Sequence, residues 1–343
     1  MKVFLFSSLV LVAVGLCLAA ESQQLTEENW QWIPTINGEM EYVDINAIDM
    51  GMEPAFNGMN DILFRLFTRR NSGQNDGQII RIYNNNDLIN SHFNFNHQTR
   101  FRIHGWSEGG NRTGGSFRNA FLNRGEYNVI IVDWGAGAGT PNYVLARSRV
   151  NEAGAVVARF IDWLNSAGVA FSSISVIGHS LGGHVCGAVG KRVTRGRLSS
   201  IVALDPAGPL FTIDRPEDRL HWTDADYVEV QFTDIGRLGF SQPIGHANFY
   251  PNWGTSQPGC GIDLAGSCGH ALVNDFFEEA LTPARIFGAI RCRGFADIQN
   301  RNCVISGPSR RMGGEPVNDG FSPAGSVYFL TTNPAAPFSQ GPR

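Results

Sequence analysis

A serine attacks an ester only when its hydroxyl is presented on a strained turn and a base stands beside it. The chain carries two G-x-S-x-G patterns of that kind, Gly105-Trp106-Ser107-Glu108-Gly109 and Gly178-His179-Ser180-Leu181-Gly182. With 40 Gly and 23 Ser in 343 residues, chance alone supplies roughly 0.3 matches, so the bare pattern decides little. Context separates the two. The turn needs a strand before the serine and a helix directly after it, whose first N–H groups can hold an oxyanion. Ile174 to Ile177 precede Ser180, and Leu181-Gly182-Gly183-His184-Val185-Cys186-Gly187-Ala188 follow it. Ser107 has a short strand before it, but Gly109-Gly110-Asn111-Arg112 after it start a helix poorly. Ser180 is the candidate nucleophile.

The base is usually His, oriented by a carboxylate, and on a strand-turn-helix scaffold the chain order is Ser, acid, His. Asp205 follows an apolar run, in Leu204-Asp205-Pro206-Ala207-Gly208-Pro209. A carboxylate at the C-terminal end of a parallel strand lies on the sheet edge where ligands bind. Its bland alternative is a local turn or cap role before Pro206. Three histidines follow it. His221 stands in a turn rich in Asp, Glu and Arg, and His246 reads as a packed structural residue. His270 follows Cys268-Gly269 in what reads as an irregular, stapled segment. Order and spacing put His270 forward without excluding the other two.

The elements that must position these residues are strands alternating with helices. Strands are predicted at 101–105, 128–134, 174–178, 200–204 and 227–232, with a last one at 325–331. A helix is predicted at 151–165, where Ala153, Val156, Val157, Phe160, Ile161 and Leu164 recur at helical spacing. A second runs from about Ser180 to Lys191. Continuous β-branched runs such as Val129-Ile130-Ile131-Val132 suit a parallel sheet covered on both faces. The fold class is therefore α/β with a mostly parallel central sheet. Residues 20–60 read as an extended lead-in, and the Pro-rich tail 334–343 is expected to fray.

Composition bounds the rest. A 43% hydrophobic chain can build a sizeable core. A net charge of −4 lacks the basic footprint of a nucleic-acid binder. Met1-Lys2 followed by the apolar run Val3 to Ala20 and then Glu21-Ser22-Gln23-Gln24 reads as a secretory signal peptide over residues 1–19. Export favours disulfides. Beyond Cys17 there are Cys186, Cys260, Cys268, Cys292 and Cys303. Cys186, in a Gly/Ala-rich stretch, reads as buried. The other four allow three connectivities, of which the local one is Cys260–Cys268 with Cys292–Cys303. Asn111-Arg112-Thr113 is a glycosylation sequon.

The set His104-Gly105-Trp106, Val132-Asp133-Trp134, Gly178 to His184, Leu204 to Pro209 and Cys268-Gly269-His270 resembles the pancreatic-lipase family, most closely its insect secreted neutral lipases and phospholipases A1. The resemblance runs from about Asp61 to Phe338. It implies a single α/β-hydrolase domain over 61–338, with Ser180 as nucleophile, Asp205 as acid and His270 as base. It implies oxyanion donors at the backbone N–H groups of Trp106 and Leu181. Cys260 and Cys268 match the ends of the family's lid, but only Gly261 to Ser267 lie between them. So short a lid resembles the phospholipase A1 branch. The family's calcium-site region maps to Glu217 to Asp224, where His221 replaces an acidic residue. No metal and no other cofactor is expected. No C-terminal β-sandwich domain is expected either, and hence no colipase partner. The expected partner is a lipid substrate at a membrane or droplet surface, with nothing to indicate oligomeric state. The function implied is a secreted hydrolase of fatty-acyl esters: the sn-1 ester of phospholipids or galactolipids, or tri- and diacylglycerols. The alternative is a catalytically inactive lipase-fold storage or lipid-binding protein, like insect yolk proteins.

Overall fold

A computed structural model describes residues 29–35, 39–46, 55–108, 114–317 and 322–343. The signal-peptide stretch 1–19 and the sequon at Asn111 lie outside the described residues. Two strands, β1 (Trp30–Pro34) and β2 (Met40–Asp44), pair antiparallel as a separate hairpin. The main sheet contains β3 (Leu63–Phe67), β4 (Gln78–Ile79), β5 (Gln98–Ile103), β6 (Tyr127–Asp133), β7 (Ile174–His179) and β8 (Ser200–Leu204). It continues through β9 (Tyr227–Gln231), β10 (Ala247–Pro251), β11 (Phe287–Cys292), β12 (Arg310–Met312) and β13 (Ser326–Leu330). Its 11 strands are ordered β12-β11-β13-β10-β9-β8-β7-β5-β6-β3-β4. From β13 to β6 along that order the pairs are parallel. The outer strands β3, β4, β11 and β12 pair antiparallel. This is the α/β-hydrolase architecture, with a parallel centre and antiparallel edges.

Successive residues of a strand face opposite sides of a sheet, and both sides are buried here. In β6, Ile130 and Val132 join one apolar cluster while Val129 and Ile131 join the other. Two of the longer helices cover much of the first face. These are α2 (Val150–Ser166) and α3 (Leu181–Gly190), with α1 (Gly115–Arg124) and α4 (Ser267–Ala280) contributing Phe117, Phe121, Phe276 and Phe277 to the second face. In α2 the apolar stripe Ala153, Val156, Val157, Phe160, Ile161 and Leu164 is buried. Its Gly154 faces α3 so closely that a Cβ there would lie 2.3 Å from the Ala188 methyl. Among the described residues no helix is long and apolar enough to cross a membrane.

Within the extended lead-in, residues 30–34 and 40–44 are paired strands, and Ile33 is buried in the main core. Two local expectations need correction. The tail does not fray. The Phe338 and Ser339 N–H groups each donate to the Glu279 carboxylate at 2.8 Å, and Gly341 bonds Ile286 at 3.0 Å. His270 stands in the first turn of α4, not in an irregular segment. The Asp263 carboxylate accepts from the N–H groups of Cys268 (3.3 Å) and Gly269 (2.8 Å), two donors that the helix start leaves without an intrahelical partner.

Candidate active site

The turn at Ser180 follows from the two glycines around it. Ser180 sits at φ 55°, ψ −124°, between the end of β7 and the start of α3. Strand and helix approach so closely that a Cβ at Gly178 would lie 2.1 Å from the Gly182 carbonyl oxygen. One at Gly182 would lie 2.3 Å from the carbonyl of Ile103 in β5. Only glycine fits either place. Leu181 is the first residue of α3, where an N–H has no intrahelical acceptor. Trp106 stands in the loop after β5, anchored by its indole N–H to the Thr140 carbonyl at 2.7 Å. Ser107 lies in that same loop at φ 58°, with no helix directly after it among the described residues.

Asp205 directly follows β8 and is fully buried. One carboxylate oxygen accepts from the N–H groups of Thr233 (2.7 Å) and Asp234 (3.1 Å). The other accepts from His270 Nδ1 at 2.6 Å. That bond leaves the opposite ring nitrogen of His270 for a substrate or a hydroxyl. Ser180 and His270 line one cavity of about 180 Å³, together with Trp106, Ser107 and Glu108. Ser180, Asp205 and His270, drawn from three different elements, thus converge on one sheet edge, and Trp106 and Leu181 border it.

The other histidines have other work. The His221 ring accepts from the Thr223 N–H and caps a short 3-10 turn. His246 Nδ1 accepts from the Val228 N–H at 3.1 Å. The acidic stretch Glu217 to Asp224 suits a divalent cation poorly. Asp224 is bound by Lys191 Nζ at 2.6 Å and by the His221 N–H at 2.8 Å. Asp218 and Glu217 pair with Arg215 at 2.8 and 3.3 Å.

Several residues of the site carry no local signal in the sequence. Pro34 and Thr35 of the hairpin and Tyr143 line the cavity. Trp32 and Met40 border an adjoining groove of about 920 Å³, walled by Pro209, Phe211, Ile213 and Phe240. Asp234 is buried beside Asp205, and burial plus that neighbouring carboxylate push it up to about 7. Its side chain also meets the Arg237 guanidinium. Glu108 and His179 were visible only as variable positions of the two serine motifs, yet they bond each other across the site.

The structure pairs Cys260 with Cys268 and Cys292 with Cys303, and Cys186 is free and buried. The first disulfide closes the loop Gly261 to Ser267, on which Ile262 and Leu264 are 90% and 86% exposed. Arg237 ties this loop down by donating to the Asp263 carbonyl.

A family model described as Lipase matches residues 46–338. Lipase member H of Xenopus tropicalis is 41% identical over 189 residues, covering 54% of this chain and 41% of that protein. Lipase member H of Oryctolagus cuniculus is 34% identical over 250 residues, covering 71% and 54%. Pancreatic lipase-related protein 2 of Cavia porcellus is 35% identical over 250 residues, covering 70% and 56%. The chain spans about half the length of these curated relatives.

Proposed function

Because the chain belongs to the pancreatic-lipase family, we propose that it is a secreted serine hydrolase cleaving fatty-acyl esters of glycerolipids. The observation that carries this reading is the His270 Nδ1–Asp205 bond of 2.6 Å at the cavity that Ser180 lines. His270 Nε2 takes the Ser180 proton as Oγ attacks the acyl carbon. The N–H groups of Trp106 and Leu181 hold the oxyanion. The proton then passes to the departing alcohol, and water, activated by the same imidazole, releases the fatty acid from Ser180. Fixed donors of this kind are each worth about 10²–10³ in rate.

The entrance supports one substrate class over the other. A loop of seven residues between Cys260 and Cys268 covers little, which favours lipids with polar heads, cleaved at the sn-1 ester. The names of the relatives support lipase activity in general, and cleavage of tri- and diacylglycerols is the second reading. Two disulfides support an exported protein. An inactive binding protein is disfavoured by the complete Ser180, Asp205 and His270 set. Product analysis on phosphatidylcholine, a galactolipid and triolein tests the assignment. Release of sn-1 fatty acid from the first two is expected. Turnover of triolein alone, rising sharply at the interface, would overturn the reading of the lid.

A further inference from the structure

We infer that His179 is a positioning residue, held as an imidazolium between the Glu108 carboxylate and the main-chain carbonyl of His270, and that it locks the Trp106 loop to the general base. Its catalytic consequence rests on the hydrolase reading above; its geometry does not.

Donor and acceptor counting carries the inference. His179 ends β7 and is 2% exposed. Its Nε2 lies 2.8 Å from the His270 carbonyl oxygen and its Nδ1 2.5 Å from Glu108 Oε1. A carbonyl oxygen only accepts, so Nε2 carries a hydrogen. An ionised carboxylate also only accepts, so Nδ1 carries another. With Glu108 ionised, the doubly protonated ring satisfies both contacts, whereas a neutral ring would leave a nitrogen lone pair facing an oxygen lone pair. The second oxygen of Glu108 accepts from the Gly105 N–H at 3.2 Å. Burial opposes ionisation of Glu108. The charge and hydrogen bond of His179, the charge of Arg102 and the Gly105 N–H outweigh it and hold the carboxyl well below the usual carboxylate range.

This bridge joins parts of the site that are far apart in the chain. Glu108 shares its loop with Trp106, His179 directly precedes Ser180, and His270 opens α4. The two imidazole rings stand 4.6 Å apart between centroids. A shift of either the loop or α4 therefore breaks a charge-assisted hydrogen bond. The pair also sets the local field. Arg102 of β5 faces Glu108, while Asp205 after β8 and Asp234 after β9 face the neighbouring His270. Glu108 balances the His179 cation, so His270 can still accept a proton beside it.

The test uses the full chain labelled with ¹⁵N-histidine, its Glu108→Gln and His179→Gln variants, and a soluble short-chain ester. In the native protein one histidine ring should carry hydrogens on both nitrogens at pH 8. That signal should be absent from His179→Gln and lost at pH 8 in Glu108→Gln. Both variants should lose about 10–100-fold in kcat with KM little changed, as expected for misplacement of reacting groups. In Glu108→Gln the acid limb of the pH–rate profile should move to lower pH, because the anion that balances the His179 cation beside His270 is gone. A singly protonated His179 ring at pH 8 in the native protein would overturn the inference. So would a Glu108→Gln enzyme with unaltered kcat and pH profile. The ring signal needs no substrate, so a native protein inactive on every ester would sink the hydrolase reading and leave the assignment of His179 to the spectrum.

Discussion

Ser180 lies at a backbone conformation that side chains rarely adopt, and the residues around it explain why the chain tolerates it. Gly178 and Gly182 permit the close approach of β7, α3 and β5, so the motif is read from local sterics alone. Ser180→Ala should keep the fold and lose essentially all esterase activity. Asp205→Asn should lose on the order of 10³–10⁴ in kcat, because an amide no longer fixes the His270 tautomer. Both are measured by steady-state hydrolysis beside a thermal melt; retained activity in Ser180→Ala would move the nucleophile elsewhere, Ser107 first. The base was less legible than the serine. His221, His246 and His270 all follow the acid, and only the tertiary bond to Asp205 separates them. The Glu108–His179 bond joins residues 71 positions apart, a separation at which no local pattern reports.

At the scale of elements, the central strands were legible because both their faces are buried. Val129 to Val132 of β6 and Ile201 to Leu204 of β8 are therefore β-branched or apolar throughout. The α2 stripe was legible for the opposite reason, since one helical face is buried and the other is not. The hairpin β1–β2 was not legible. It pairs only with itself, and it adds little to the core, Ile33 buried there and Val43 packed against it. Yet it sets Pro34 and Thr35 at the cavity and Trp32 and Met40 along the adjoining groove. If the acyl chain runs along that groove, Trp32→Ala and Met40→Ala should each cost about 1–2 kcal/mol in kcat/KM on long-chain esters, from lost apolar contact. Short-chain esters should be unaffected. A chain-length series measures this, and an equal loss at every length would remove the hairpin from the acyl path. The position of His270 in α4 was missed because Gly266 and Asp263, not a capping hydroxyl, start that helix.

At the scale of the whole molecule, a buried histidine sets a pH term in stability. His184, on α3 under the Ala207 turn, has Nε2 2.8 Å from the Ala207 carbonyl, and its Nδ1 accepts from the Leu220 N–H at 3.1 Å. It is therefore neutral with its hydrogen on Nε2. Burial, opposed by the Ala207 bond and aided by the charges of Arg219, Arg147 and Lys191, pushes it down to about 3. The unfolded chain then binds a proton that the folded one refuses. This contribution is fully present above about pH 6.5 and is lost as pH falls toward 3, at about 1.4 kcal/mol per unit. Between pH 6.5 and 5 it amounts to about 2 kcal/mol. Denaturant unfolding should show that slope, and His184→Gln, which keeps a donor and an acceptor, should lack it. An identical slope in both would assign the acid sensitivity to other groups.

The central claim is that Ser180 is an activated nucleophile. Treating the folded protein with a fluorophosphonate and mapping the adduct by mass spectrometry tests it without any choice of lipid. One adduct per chain on Ser180, absent from Ser180→Ala and from heat-unfolded protein, is the predicted result. No adduct on the folded chain, or an adduct on Ser107 with Ser180 untouched, would contradict the account.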